Sequence, residues 1–344
     1  MKTLNIALFG CGTVGSGLYP LLSEVAQTIT WRTGATFRVA KVCVRDLQKE
    51  RSVQIPPQLL TTNGTALLDD PSINVVVEVI GGEAEALGII TRALVNGKQV
   101  VTANKLVVSK HLPLLRRLEE LHGGRLLYGA SVCGSIPILK LIDETLPFDQ
   151  VNKLRGIVNG STNFILSRLA DGVSRDEALA IAKREGFLEA DPTADISGAD
   201  AAQKLSILIY HAFGVHLSPD AIPTTGIECI TERDLEHARA AGSTIKLVAE
   251  AARENGRIKA SVAPRLVPLT DPLAEVRDEV NIVEVTCHGV GVQRFTGRGA
   301  GAIPTANAVV TDLLDIVKER RYRLPEPCPP AHVPVHSILQ RVAA

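Results

Sequence analysis

Apolar runs of four to eight residues, each stopped by glycine or a polar turn, recur through the first 135 residues: Leu4–Phe9, Phe37–Val44, Asn74–Ile80, Lys98–Ala103 and Leu126–Gly129. Short, nearly continuous apolar runs are the pattern of strands buried on both faces. Helical periodicity lies between them, after Gly15, near Glu85–Asn96 and over Ser109–His122. Alternating strands and helices predict an α/β fold, a doubly wound parallel sheet with helices on both faces. Ligands of such sheets lie outside the carboxyl ends of the strands. Gly12, Arg45, Gly81 and Lys105 all fall at such ends.

Beyond residue 135 the pattern changes. Pro137–Leu146 reads as a helix stopped by Pro147, and Lys153–Val158 as the first strand of a second sheet. Ser174-x-x-Glu177 and Thr231-x-x-Asp234 carry the spacing of capping boxes for two helices. Pro192 keeps the stretch bearing Glu189, Asp191 and Asp195 as a loop, and a helix runs from about Ser197 to about Ala212. Ile245–Ala252, for which a helix is the alternative, and Ile258–Val267 read as strands. Val280–Cys287 and Val290–Thr296 form a hairpin about His288-Gly289. These elements predict an α+β domain with an open sheet, one edge of which is available to a second subunit. A glycine-rich run to Gly301 precedes the helix Ala306–Arg320, whose Val309, Leu313, Ile316 and Val317 form one apolar stripe. The expected division is 1–135 for the first domain, 136–303 for the second, 304–321 for a helix returning to the first, and 322–344 for an extended arm.

Composition narrows the function class. Lys+Arg and Asp+Glu both number 37, so no basic field attracts nucleic acid. Aromatics make up 3%, too few for a base-stacking surface. The six cysteines show no CxxC pair, which fits free thiols in a reducing cytoplasm better than a disulfide frame or a zinc site. No membrane-spanning run and no signal peptide is expected.

The chemistry begins at Gly10-Cys11-Gly12-Thr13-Val14-Gly15, a G-x-G-x-x-G run between a strand and a helix. Gly10 permits the tight turn, Gly12 lets a pyrophosphate approach the backbone, and Gly15 lets helix and strand pack closely. The helix start offers its free N–H groups to the phosphates. A glycine-rich turn without a ligand is the alternative. At the tip of the second strand, Arg45 is placed to meet a 2′-phosphate with a planar fork, which points to NADP. Asp46 beside it keeps NAD open, and a solvated basic turn also fits the local sequence.

The densest chemistry is Gly186–Lys204, GFLEADPTADISGADAAQK. Asp200 and Lys204 are one helical turn apart and share a face. Taken alone they also fit a solvated ion pair stabilising a helix by roughly 0.2–0.5 kcal/mol. Ser197-x-x-Asp200 also has capping-pair spacing. His211, His216, His237 and His288 have no metal-like spacing.

The run Ala182-x-x-x-Gly186-Phe187, then Glu189-Ala190-Asp191-Pro192-x-x-Asp195-Ile196-x-Gly198-x-Asp200-x-x-x-Lys204, resembles the signature stretch of homoserine dehydrogenases. Ile80-Gly81-Gly82, Thr102-Ala103-Asn104-Lys105 and Asn159-Gly160-Ser161-Thr162-Asn163 are similar to further motifs of that family. The resemblance covers about residues 4–320. It implies NAD(P)-dependent interconversion of L-homoserine and L-aspartate 4-semialdehyde, on the route to threonine, methionine and isoleucine. It implies Lys204 as the proton-moving group, with Asp200 orienting it or a water and Lys105 assisting beside nicotinamide and substrate. Glu189 would bind the substrate ammonium and Asp195 would support the loop. Backbone groups at Gly160 and Thr162 would face the substrate. Gly10, Gly12, Thr13, Val14, Gly15, Arg45, Gly81, Thr102, Lys105 and Gly301 would line the cofactor. A homodimer is the family habit. The family also has a glutamate before Ala-Ser-Val that ligates a monovalent cation beside backbone carbonyls. Here Gly129 stands in its place and Cys133 replaces a glycine, so no metal is expected, with weak binding by the carbonyls of Val132, Gly134 and Ile136 as the alternative. A further regulatory domain found in many family members is not expected, because the sequence ends 24 residues after Arg320.

Overall fold

The structure, a computed structural model, describes residues 2–146, 149–188 and 191–322. They form two units. One contains the chain up to Pro137 together with the return segment from Ala300, and the other contains Ile138–Gly299.

The first unit is built on strands β1 (Lys2–Phe9), β2 (Ala35–Cys43), β3 (Leu60–Thr61), β4 (Val75–Glu78), β5 (Gln99–Thr102) and β6 (Arg125–Leu127). They pair in the order β3-β2-β1-β4-β5-β6, and every pairing is parallel. From β1 the chain crosses outward to β2, and from β4 it crosses the opposite way to β5. Right-handed crossovers in opposite directions put their helices on opposite faces. The reversal between β1 and β4 opens a crevice at their carboxyl ends. Ile6, Leu8, Val76, Val77, Val100, Val101 and Leu126 are buried, which is why these strands read as unbroken apolar runs.

Helix Thr13–Glu24 packs on the return helix Ala302–Val317, and Ala84–Val95 packs on Lys105–His122. The last of these begins four residues earlier than the periodicity indicates. Asn104 caps it by accepting the Val107 N–H at 3.2 Å, so Lys105 is a first-turn helical residue. The return helix also starts early, at Ala302, which puts Pro304 in its first turn, where a missing N–H costs nothing.

The second unit contains β7 (Val151–Ile157), β8 (Ser243–Glu254), β9 (Arg257–Pro268), β10 (Val280–Cys287) and β11 (Gly291–Arg298). They form an antiparallel sheet in the order β11-β10-β7-β8-β9. The long β8–β9 ladder rules out the helical alternative for Ile245–Ala252. Ile157, Val248, Val267, Leu273, Val276 and Ile282 make a core on one face.

Three expectations are corrected in this unit. The predicted helix over Pro137–Leu146 is instead a short α-turn, Ile138–Lys140, followed by a wider π-type turn, Leu141–Thr145, in which Asp143 reaches His211 at 2.8 Å. Asp195 is not in a loop but in a helical turn, Thr193–Ile196, because Pro192 flanks the turn rather than interrupting it. Ser197 and Asp200 are not a capping pair either. Helix Ala199–Phe213 starts after Gly198, whose left-handed φ of 83° makes the bend, and Asp200 is committed elsewhere. The box at Thr231-x-x-Asp234 is present with both of its hydrogen bonds. The expected arm lies outside the described residues from 323 onward.

Candidate functional site

In the first unit the glycine run forms the floor of a cleft of about 920 Å³. Gly10 has φ of 101°, and a Cβ there would lie 2.8 Å from the Val79 carbonyl, so the turn excludes any other residue. A Cβ on Gly15 would collide with the Gly10 carbonyl, which fixes the close approach of helix and strand. At Gly12 the space is open to 4 Å. Thr13 and Val14 follow in the first turn of the helix, whose N–H groups have no intrahelical acceptor. Bare backbone, an open space and a helix start together form an anion cradle, and they fit a dinucleotide pyrophosphate.

Arg45 lines the same cleft with Lys49 and Arg51. Its guanidinium is largely exposed and donates to Glu85 at 2.7 Å. Asp46 lines the cleft too, and its carboxylate accepts the Gln48 N–H at 2.8 Å. Gly81 and Gly82 both have φ of 75°. They are held by a network that no motif reveals. Glu78, fully buried at the end of β4, accepts from the Ile80 N–H at 2.8 Å and from the Thr102 hydroxyl at 2.5 Å. Thr102 Oγ1 accepts the Asn104 N–H, and Asn104 donates to the Gly82 carbonyl at 2.8 Å. Burial raises the Glu78 carboxyl above the ordinary range, and its hydrogen bonds oppose this. Thr102 therefore braces the corner from which Lys105 starts. Gly301, with φ of 119°, forms the N-terminal boundary of the return helix.

The space beside Gly129 bears on the family's cation. A Cβ on Gly129 would lie 2.7 Å from Asp312 Oδ1 and 3.2 Å from the Tyr322 hydroxyl. Asp312 Oδ2 accepts the Ala130 N–H at 3.4 Å, and the Tyr322 ring packs on Tyr128 at 4.6 Å between centroids. The position has no ligating side chain, and the space one would need is filled. Among the described residues no group of three or more His, Cys, Asp or Glu could hold a metal ion.

In the second unit the Asp–Lys pair is no surface feature. Lys204 Nζ lies 2.8 Å from Asp200 Oδ2 with both side chains less than a tenth exposed, and it donates to the Val158 carbonyl at 2.8 Å. The solvated-pair reading therefore falls. Asn159, which sequence reasoning left out of the site, joins the cluster. Its amide donates to Asp195 Oδ1 at 2.6 Å and to Asp200 Oδ2 at 2.8 Å. Its N-cap chemistry ahead of Gly160-Ser161-Thr162 was the available signal. Gly160 is required because a Cβ there would lie 2.7 Å from the Glu279 carbonyl. Thr162 is buried, and its hydroxyl donates back to Asn159. Beneath this turn, Lys246 donates to Asn163 Oδ1 at 2.9 Å and to the Val276 carbonyl at 2.6 Å. Glu189 lies outside the described residues.

The arrangement comprises a phosphate cradle with a basic rim in one unit and a buried, hydrogen-bonded acid–lysine cluster in the other. Dehydrogenation of an alcohol needs both, a dinucleotide site and a group that moves the hydroxyl proton. No helix of the described residues is long and apolar enough to cross a membrane.

Comparison with known proteins gives the same answer. Residues 10–129 match the model described as the homoserine dehydrogenase NAD-binding domain, and residues 137–314 match that of homoserine dehydrogenase. Homoserine dehydrogenase of Bacillus subtilis is 39% identical over 322 residues, which are 93% of this chain and 74% of that protein. The crystal structure of a homoserine dehydrogenase from Thiobacillus denitrificans superposes with a TM-score of 0.88 at 41% identity, over 92% of this chain and 74% of the other. A hyperthermophilic archaeal homoserine dehydrogenase in complex with NADPH superposes at 0.76 with 26% identity, over 94% of this chain and all (100%) of the other. The chain belongs to the homoserine dehydrogenase family, whose members are NAD(P)-dependent oxidoreductases acting on the alcohol of L-homoserine.

Proposed function

We propose that Lys204 moves the hydroxyl proton as this chain interconverts L-homoserine and L-aspartate 4-semialdehyde, and that Asp200 holds it in place. The observation that carries this reading is the burial of the Lys204–Asp200 pair on the Val158 carbonyl. Burying two charges costs several kcal/mol per ion before their attraction is counted, so such a pair is weak evidence of stabilisation alone. A lysine held between a carboxylate and a carbonyl is fixed in place, as a group that passes a proton must be. Nicotinamide, when bound, supplies the hydride chemistry. The chain supplies orientation and the proton path. Lys105 assists, Glu189 takes the substrate ammonium, Asp195 supports the turn, and the backbone at Gly160 and Thr162 faces the substrate. Incubation with L-homoserine and oxidised cofactor should raise the absorbance of the reduced nicotinamide. No turnover with homoserine, but turnover with another amino alcohol, would overturn the substrate assignment.

The cofactor in this reading is NADP. Gly10, Gly12, Thr13, Val14, Gly15, Gly81, Thr102, Lys105 and Gly301 line it, and Arg45 meets the 2′-phosphate. The enzyme works in the cytoplasm as a two-fold dimer formed through residues 145–300. The edge strands β9 and β11 support the dimer, since their outer faces expose Leu266 and Val292. Sedimentation at micromolar concentration should give a dimer, and a monomer would refute this part.

A further inference from the structure

We propose that Asn159 is the positioning residue of the acid–lysine cluster, holding Asp195, Asp200 and Lys204 in register through its side-chain amide. The proposal rests on the reading of Lys204 given above and deepens it. Asn159 is 4% exposed, and its amide uses every donor and acceptor it has. Its Oδ1 accepts the Thr162 N–H at 2.8 Å and the Thr162 hydroxyl at 2.9 Å. Those two donors fix which end of the amide is oxygen. The two Nδ2 hydrogens are then directed at Asp195 and Asp200.

The connections close into a ring. Lys204 is held at one side by the Val158 carbonyl and at the other by Asp200. Asp200 is held by Asn159, the next residue after Val158 in the chain. Both anchors of the ammonium therefore trace to one rigid dipeptide at the start of helix Gly160–Ala170. Two carboxylates that approach one point repel each other, and two amide hydrogens between them offset the repulsion. Asparagine suits this position because it caps the helix with its oxygen and still has two donors to give.

Capping and positioning can be separated. Ser and Asp cap helices about as well as Asn. Asn159→Ser should therefore keep the cap and fold, and Asn159→Asp should keep the cap but melt lower, because it buries a carboxylate against two others. Neither can bridge the carboxylates with an amide. Asn159→Ser should lower kcat about 10- to 100-fold, the worth of the charge-assisted hydrogen bond to Asp200, the one of its two that bears on Lys204. Asn159→Asp should be slower still, because a third carboxylate faces the other two. The KM for the cofactor should stay within about twofold in both. Equal kcat for the two variants, or kcat within threefold of wild type, would mean that Asn159 is only a cap and would overturn the proposal.

The cluster can also be probed on a Lys204→Met background. If Asn159 acts through the lysine, adding Asn159→Ser to Lys204→Met should slow turnover no further. A full additional loss there would overturn the proposal. Wild-type kcat in Lys204→Met alone would instead reject the lysine's role, and the Ser and Asp comparison would still decide Asn159.

Discussion

Removing Lys204 tests the functional assignment and the physics of its burial together. Lys204→Met deletes an ammonium that sits 2.8 Å from Asp200 and 2.8 Å from the Val158 carbonyl. Asp200 is then left as a carboxylate less than a tenth exposed, with its opposite charge gone. Breaking a buried pair from one side costs about 3–5 kcal/mol. For a domain of this size that is a fall in melting temperature on the order of 10 °C. The same change should lower kcat for homoserine oxidation by about 10²–10⁴-fold, as general acid–base groups do. A drop in both quantities is ambiguous, so the second variant is Lys204→Met with Asp200→Asn. It buries no unpaired charge, and most of the lost stability should return, because a neutral replacement of a buried pair is often close to neutral overall. Turnover should not return. The assay is the initial rate of cofactor reduction well below the melting temperature, with cofactor affinity followed by reduced-nicotinamide fluorescence. A double variant that regains kcat along with stability would refute proton transfer by Lys204, and so would a single variant within threefold of wild type.

Three further outcomes are expected. Arg45→Ala should erase the preference for NADP over NAD in kcat/KM. Glu85→Gln, which frees the Arg45 guanidinium from its exposed 2.7 Å pair, should tighten NADP binding by up to about fivefold, the worth of such a pair; equal use of both cofactors by the wild type would reject the assignment. Burial moves Lys246 from its ordinary 10.5 to about 8. The folded state then binds this proton less tightly than the unfolded chain does, so the burial penalty is complete below about pH 8. Stability should rise relative to Lys246→Met by up to about 3 kcal/mol between pH 8 and 10.5, and a pH-independent difference in denaturant titrations would count against it. Finally, turnover at constant ionic strength should be equal in sodium, potassium and tetramethylammonium chloride, because Asp312 and Tyr322 fill the space beside Gly129. Saturable activation by either metal ion would show that a cation site persists.

The parallel sheet was legible because its strands are buried on both faces. Burial on both faces turns β1, β4 and β5 into apolar words with glycine or polar stops, and such words need no partner to be read. The glycine run was legible for a similar reason. Gly10 and Gly15 answer to backbone geometry within one strand-turn-helix unit. Lys204 and Asp200 were legible as neighbours, since a helix fixes what lies four residues apart. Their burial was not, because no local pattern distinguishes a solvated pair from one enclosed by β7, the turn at Asn159 and the rest of the second unit. Long-range contacts likewise decided Glu78, which reads as one polar residue in an apolar strand until Thr102 is brought across from β5. They decided Gly129, whose meaning depends on Asp312 arriving 183 residues later. Asn159 combines both cases. Its oxygen caps a helix three residues away, a local event that sequence can foresee. Its nitrogen meets Asp195 and Asp200, 36 and 41 residues on, and only packing of the chain can bring those carboxylates to it.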